Sequence, residues 1–518
     1  MANKSVFAAT TGKLLPHPDA VNQAGAPAYR LTPRQALAQL AATGTFNVTF
    51  YADAEEQLAQ VLDLAKQVEP DFIAKTAVHA FEAGYMKDMP AVLLALLSTL
   101  PGDAFNRAFP RIVRNGKMLR NFVQVMRSGA VGRKSLGTRP KRLVQHWLET
   151  AGDIEIMRAA VGNEPSLADV IKMAHPAPAS AARRALYGYL IGKPHDVAAL
   201  PGLVQAFEAF KRDRSRPVPG VPFQMLTALE LTRQHWVEIA EHAGWQMLRQ
   251  NLNTFARHGV FEVEGFADKL AARLADPAEV RRANVFPYQL MGSFGALDAA
   301  VPHVVREALQ DAMEIALGNV PRLDGQVVVC PDVSGSMSSA VTGYRRGATS
   351  AVRCIDVAAL VAAAFLRRNP HTTVLPFEDR VVDIHLNGRD TVMSNAAKLA
   401  AIGGGGTNCS APLRRLIETK AQVDLLVLVS DNQSWIDARP GTNGTSLLID
   451  WERLKSWNPG ARLVCIDVQP YANTQALGRP DILNVGGFSD RVFDLIDSFV
   501  AQTGDDDHWV KEIERVEL

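Results

Sequence analysis

From Leu31 to about Leu317, apolar residues recur at three- and four-residue steps, the spacing of a helix that buries one face. Phe72–Ala83, Ala91–Leu100, Leu119–Met126, Lys141–Glu149, Leu167–Met173, Ala181–Leu190 and Trp245–Arg257 are the clearest runs. Thr32-Pro33 supplies a cap followed by proline in the first turn, where the missing N–H costs nothing. Pro70, Pro90, Pro101-Gly102 and Pro201-Gly202 punctuate the rest. So many short helices do not make one bundle. Stacked hairpins of the HEAT or armadillo kind fit better, because each pair buries its face against the next. No crisp repeat is visible, so the repeats are degenerate or the region is an irregular all-α domain.

After Pro321-Arg322-Leu323-Asp324-Gly325 the pattern changes. Short continuous runs rich in Val and Leu, namely Val327–Cys330, Thr373–Phe377, Val381–Leu386, Leu425–Ser430 and Leu463–Val468, alternate with helical stretches such as Ala358–Arg367, Ala411–Thr419 and Val492–Ala501. Continuous apolar strands of this kind belong to a sheet covered on both faces. The expected organisation is therefore a helical module over 1–320 and an α/β domain over 321–518.

At 518 residues the chain exceeds one ordinary core. With 47% hydrophobic and 21% charged residues it has a globular balance. No charge-free apolar run is long enough for a membrane span, and Met1–Pro18 lacks a leader-like core, so a cytoplasmic protein is expected. None of the four cysteines forms Cys-x-x-Cys, which argues against a zinc ribbon. Cys330 and Cys465 read as small core residues, whereas Cys409, after a glycine loop, could be exposed.

The net charge of +1 hides a local excess. Ala104–Leu148 contains eleven Lys/Arg and no acid. Arg111, Arg114 and Lys117 fall on one helix side, and Arg120 continues the charge. A basic glycine loop carrying Arg133 and Lys134 leads through Arg139, Lys141 and Arg142 into the next helix; Lys172 and His175 follow. An anionic partner, nucleic acid above all, is the functional reading, and a solvated face is the plain one. Phe109, Phe122 and Trp147 sit at apolar helix positions and are expected in the core. That favours contact with phosphates and shape over base stacking.

The second candidate site begins at Asp332-Val333-Ser334-Gly335-Ser336, just past a strand. One carboxylate and two hydroxyls at alternate positions can face one hard cation. Thr407, on the loop Gly403–Gly406, and Asp431, after the run Leu425–Ser430, complete an oxygen set of Asp332, Ser334, Ser336, Thr407 and Asp431. Mg²⁺ takes such ligands, one or two carboxylates with waters; Mn²⁺ or Ca²⁺ would also fit.

The order strand, Asp-x-Ser-x-Ser, helix, strand pair, glycine loop with Thr, helix, strand, Asp resembles a von Willebrand factor A domain. Together with Ser128–His146, Asp169–Pro176, Leu248–Leu252 and Ala283–Tyr288, it makes the chain resemble the Ro autoantigen (TROVE) family. The resemblance implies a ring of helical repeats that the A domain completes. It implies structured Y RNA on an outer basic surface, single-stranded ends of misfolded RNA in the ring cavity, and a non-enzymatic role in RNA quality control. It also implies hand-over to an exoribonuclease such as polynucleotide phosphorylase, a divalent cation at the A-domain site, and a monomer. Lys172 and His175 match the Y RNA-contacting run, and Arg133, Lys134, Lys141 and Arg142 the basic loop and helix. Asn408 departs from the pattern, standing where A domains often place a second carboxylate. A metal-dependent protein adaptor is the alternative. A metal hydrolase is disfavoured, because a second metal cluster is missing.

Overall fold

In a computed structural model, residues 15–44, 46–318, 320–344, 352–369, 371–438, 444–487, 491–501 and 508–518 are described. They divide into two compact units that are not consecutive in sequence. One comprises the described parts of Met1–Leu64, Val280–Ala296 and Leu309–Glu512; the other comprises Ala65–Glu279, Leu297–Ala308 and Ile513–Leu518.

The first unit is built on strands. In chain order these are β1 (Ala20–Val21), β2 (Pro27–Arg30), β3 (Val327–Pro331), β4 (Thr373–Val374), β5 (Leu425–Ser430), β6 (Arg462–Asp467), β7 (Asn473–Thr474) and β8 (Ile482–Gly486). The main sheet is parallel, in the order β4-β3-β5-β6-β8. Register aligns Val328, Leu426, Leu463 and Ile482 in one row. Because side chains alternate along a strand, Val328, Cys330, Leu426, Leu428, Leu463 and Cys465 face one layer. There they pack with Leu413, Leu416, Leu448, Trp451 and Leu454 from helices Ala411–Glu418 and Ser446–Lys455. On the other face lies Cys354–Arg368, a helix buried from Cys354 to Leu366 except at Asp356, which packs against β3 and β5.

Residues 15–64, which the sequence division places with the helices, pack in this unit. β2 pairs with β7, and Tyr29 joins the sheet core and its hydroxyl accepts from the Thr445 N–H. The Thr32-Pro33 signal is realised as a capping box with Gln35 ahead of helix Pro33–Thr43.

Val381–Leu386 is not a strand. The chain turns after β4: Phe377 bridges Val381, and the Val382 N–H donates to the Pro376 oxygen at 2.8 Å. These residues are only half-buried at the sheet edge, so no partner row rewards an extended run. The edge strand β8, interrupted by polar Asn484, was not legible as a strand. Cys409 is buried, not exposed. The acidic run Asp505–Asp507, which reads as a solvated turn, lies outside the described residues.

The second unit is helical. Pro70–Glu82 packs on Asp88–Leu97 and Ala104–Ile112, Asp88–Leu97 on Gly116–Ser128, Gly116–Ser128 on Asp153–Ala159, and Thr138–Thr150 on Leu167–Ala174. Each helix meets the one after next, as in a stacked array. Phe105, Phe109 and Phe122 form an aromatic cluster with centroids 5.4–6.0 Å apart. Phe122 is fully buried and Trp147 nearly so, so the aromatics of the basic block are core. The run Trp245–Arg257 breaks at Asn251 into two helices.

Candidate cation centre and basic surface

The sheet order reverses at β3, whose neighbours are β4 and β5, and a crevice opens beyond the strand ends at such a switch point. Asp332 follows β3 and Asp431 follows β5, so adjacent parallel strands deliver both carboxylates to that crevice. The Asp332 carboxylate accepts from the Ser334 N–H at 2.8 Å and from the Ser430 hydroxyl at 2.6 Å. Ser334 and Ser336 hydroxyls lie 3.3 Å apart, and the Thr407 hydroxyl donates to Ser334 at 3.0 Å. The Asp431 carboxylate accepts from the Gln433 N–H at 3.3 Å, and it is electrostatically linked to Ser336 and Asp332. The five residues read from sequence therefore form one cluster, and all five are buried.

Loop geometry explains how Thr407 gets there. Gly404 and Gly405 have φ of +136° and +62°, a region costly for residues with a Cβ. The Gly404 N–H donates to the Val333 oxygen, and the Gly335 N–H to the Gly405 oxygen, both at 3.1 Å. A Cβ on Gly405 would collide with the Glu378 carboxylate. Asn408 does not face the cluster; its amide donates to the Asp379 oxygen and its carbonyl accepts from the Ser410 N–H.

Burial raises both the Asp332 and Asp431 carboxyls above the ordinary range, and their mutual repulsion raises Asp332 further. Hydrogen bonds from the serines only partly offset this. Among the described residues neither carboxylate has an ion-pair partner. Two buried carboxylates without a countercharge are costly, and a divalent cation is the species that would answer both. No group of three or more His, Cys, Asp or Glu suited to a metal occurs among the described residues. The donors here are two carboxylates and three hydroxyls, an all-oxygen set that fits Mg²⁺ rather than zinc.

Sequence reasoning missed neighbours that arrive through tertiary structure. Tyr51, from the first 64 residues, has its phenol pKa raised by burial and then by the charges of Asp431 and Asp332. Asp467, at the end of β6, is buried beside Asn432, whose amide reaches it at 3.2 Å. Trp435 and Ile436 donate their N–H groups to the Thr407 oxygen while their side chains stay exposed.

The basic residues of the helical unit separate into two groups. Arg111 and Arg114 both bind Glu82. Arg139 donates to the carbonyls of Leu97, Ser98, Leu100 and Gly102 and lies over Phe105, so it caps helix Asp88–Leu97. Arg120 packs against Gly162, where burial lowers its pKa. Lys117 is exposed.

The remaining cations stand differently. Arg133 folds against Gly137, and the stem of Lys134 lies over Gly129. Lys134, Arg142, Lys172 and His175 are exposed, and Lys141 is half-buried. Gln145 donates to the oxygens of Ala174 (2.7 Å) and His175 (3.2 Å). Arg142, one turn before Gln145, therefore shares the side of its helix that meets His175. The Asp169 carboxyl is held low chiefly by Ser166, with smaller contributions from Lys172 and Arg127. Helix Leu167–Ala174 thus packs against both Thr138–Thr150 and Gly116–Ser128. His175 takes the left-handed cap position, φ +50°, after helix Leu167–Ala174. No ion pair is made by Arg133, Lys134, Lys141, Arg142 or Lys172 among the described residues.

No described helix is long and apolar enough to cross a membrane. Residues 326–500 match the family model for the Ro60 vWA domain. The chain is 26% identical over 450 residues to a protein of Deinococcus radiodurans named RNA-binding protein RO60, covering 80% of this chain and 83% of that one. It also shares the fold of the crystal structure of the Deinococcus radiodurans RO (RSR) protein. There the TM-score is 0.62 at 22% identity, over 90% of this chain and 99% of that one.

Proposed function

We propose that this chain, whose residues 326–500 match the Ro60 vWA domain and which is similar to an RNA-binding protein RO60, is a Ro-family protein that binds RNA without transforming it. The observation that carries the reading is the set Arg133, Lys134, Lys141, Arg142 and Lys172. Four of them come from the acid-free stretch Ala104–Leu148 and Lys172 stands three residues after Asp169, and none of the five makes an ion pair among the described residues. Cations left open in this way suit a polyphosphate chain, which releases counterions on binding. The relative's name, RNA-binding protein, supports the same reading.

In its finer form the proposal places structured Y-type RNA on this surface and single-stranded ends of misfolded RNA in a ring cavity. The work is RNA quality control in the cytoplasm, by a monomer, with an exoribonuclease such as polynucleotide phosphorylase as the receiving partner. Asp332, Ser334, Ser336, Thr407 and Asp431 would hold a divalent cation. When bound, it supplies positive charge and brackets the strand-end loops.

A second role, protein docking at the cation centre, is favoured by its rim. Trp435 and Ile436 on one loop and Phe50 beside Tyr51 are exposed apolar side chains next to the oxygen cluster. Exposed apolar groups gathered around a polar site mark interaction surfaces.

The test is gel-shift binding of a structured RNA to the full chain. Lys172→Glu combined with Arg142→Glu is expected to weaken binding by at least about tenfold, while Asp332→Ala leaves it within about twofold. Loss of RNA affinity in a folded Asp332→Ala protein would overturn this division of labour.

A further inference from the structure

Arg120 is a cation that the protein itself does not answer. It stands in the second turn of helix Gly116–Ser128, is half-buried, and makes no hydrogen bond or ion pair among the described residues. Its Nε is fully buried and has no acceptor. The guanidinium lies against Gly162, where a Cβ would collide with it. Gly162 has φ +111° and is exposed, in the loop between helices Asp153–Ala159 and Leu167–Ala174. The acid at the start of the Arg120 helix is engaged elsewhere: Glu155 accepts from the Gly116 N–H at 2.9 Å and pairs with Arg158.

Other arginines with a buried, unmet nitrogen differ. Arg183, Arg214 and Arg414 each donate to a carbonyl or a carboxylate. Arg368 ends helix Cys354–Arg368, where the helix dipole favours a cation. Arg120, near the opposite end of its own helix, has no such support. A half-buried cation left unmet costs stability, and a group of this kind calls for an explanation outside the fold.

We propose that Arg120 is a phosphate seat, in which a phosphodiester of bound RNA lies at the Gly162 notch and accepts from the guanidinium. The inference rests on the RNA reading, and it adds a phosphate to those of the five open cations for an RNA long enough to reach Gly162. Because Gly162 has no side chain, the guanidinium comes up beneath an exposed stretch of loop without being roofed over. A planar fork of N–H donors matches phosphate oxygens. Gln124 and Arg127 share the Arg120 side of the helix; both are exposed, and Arg127 makes no ion pair among the described residues. This row runs to the end of the helix, where the loop carrying Arg133 and Lys134 begins.

The experiment is filter binding of a long hairpin RNA to the full chain over a salt series, together with the melting temperature of the RNA-free protein. Arg120→Met removes the charge and keeps the stem. It is expected to make the log K against log salt slope shallower by about 0.7–0.9, and to weaken binding at about 100 mM salt by roughly five- to eightfold. The melting temperature of the free protein should hold or rise, because an unmet cation is gone. Arg368→Met is expected to leave the slope unchanged. The inference alone falls if Arg120→Met keeps the parental slope, if Arg368→Met shifts it equally, or if Arg120→Met melts lower than the parent, which would make the guanidinium a packing group. Should the parent bind no RNA, the RNA reading falls and this inference with it.

Discussion

The salt dependence of RNA binding tests the basic surface most sharply, because the number of open charges is set by the structure. Arg133, Lys134, Lys141, Arg142 and Lys172 make no ion pair among the described residues, whereas Arg111 and Arg114 are answered by Glu82. If each of the five meets one phosphate, log K falls against log salt with a slope of about −3.5 to −4.5, taking about 0.7–0.9 per phosphate. Between 50 and 200 mM salt, affinity should therefore drop by roughly 130- to 500-fold. Neutralising two of the five, with Arg142→Gln and Lys172→Gln, should leave a slope of about −2.1 to −2.7. Arg111→Gln is the control, since its charge is already paired, and it should leave the slope unchanged. Filter binding of one structured RNA at four salt concentrations measures all three proteins. A parental slope shallower than about −1, or a double substitution that leaves the slope where it was, refutes the assignment.

Two further predictions concern stability. Arg139→Ala should lower stability by about 1–3 kcal/mol, because four carbonyls lose their donor and Phe105 its cation, while the salt slope of RNA binding stays the same. Calorimetry and the same filter assay check both halves. Asp332, whose carboxyl is pushed up to about 7 by burial and by Asp431, binds its proton more tightly folded than unfolded. Stability in chelator should therefore fall as pH rises from about 4 to about 7. Asp332→Asn should flatten that fall, and a melting temperature in chelator that rises over this window contradicts the account.

The cation residues were legible because their signals are local. Asp-x-Ser-x-Ser follows one apolar run, Asp431 ends another, and Thr407 sits on a glycine loop whose positive φ values only glycine tolerates well. Five buried oxygens then follow from parallel strand ends meeting at one crevice. Tyr51 was invisible for the opposite reason, since no local pattern links it to a sheet that begins 276 residues later at Val327. The basic residues were legible as charges but not as roles. Arg111 and Arg133 look alike in sequence, and only the placement of Glu82 separates a spent guanidinium from an open one. Val381–Leu386 has the alternation of a strand, yet strands need partners, and the sheet edge offers none there.

Strand β2 ends at Arg30 and pairs with β7, which begins at Asn473. At about 5–20 residues per second of translation, the earlier strand must wait roughly 20–90 s for its partner to leave the ribosome. Throughout that interval the hydrogen-bonding edge of β2 that β7 will cover stays open. A nascent chain stalled before β7 should therefore display the open edge of β2 to chaperones and proteases.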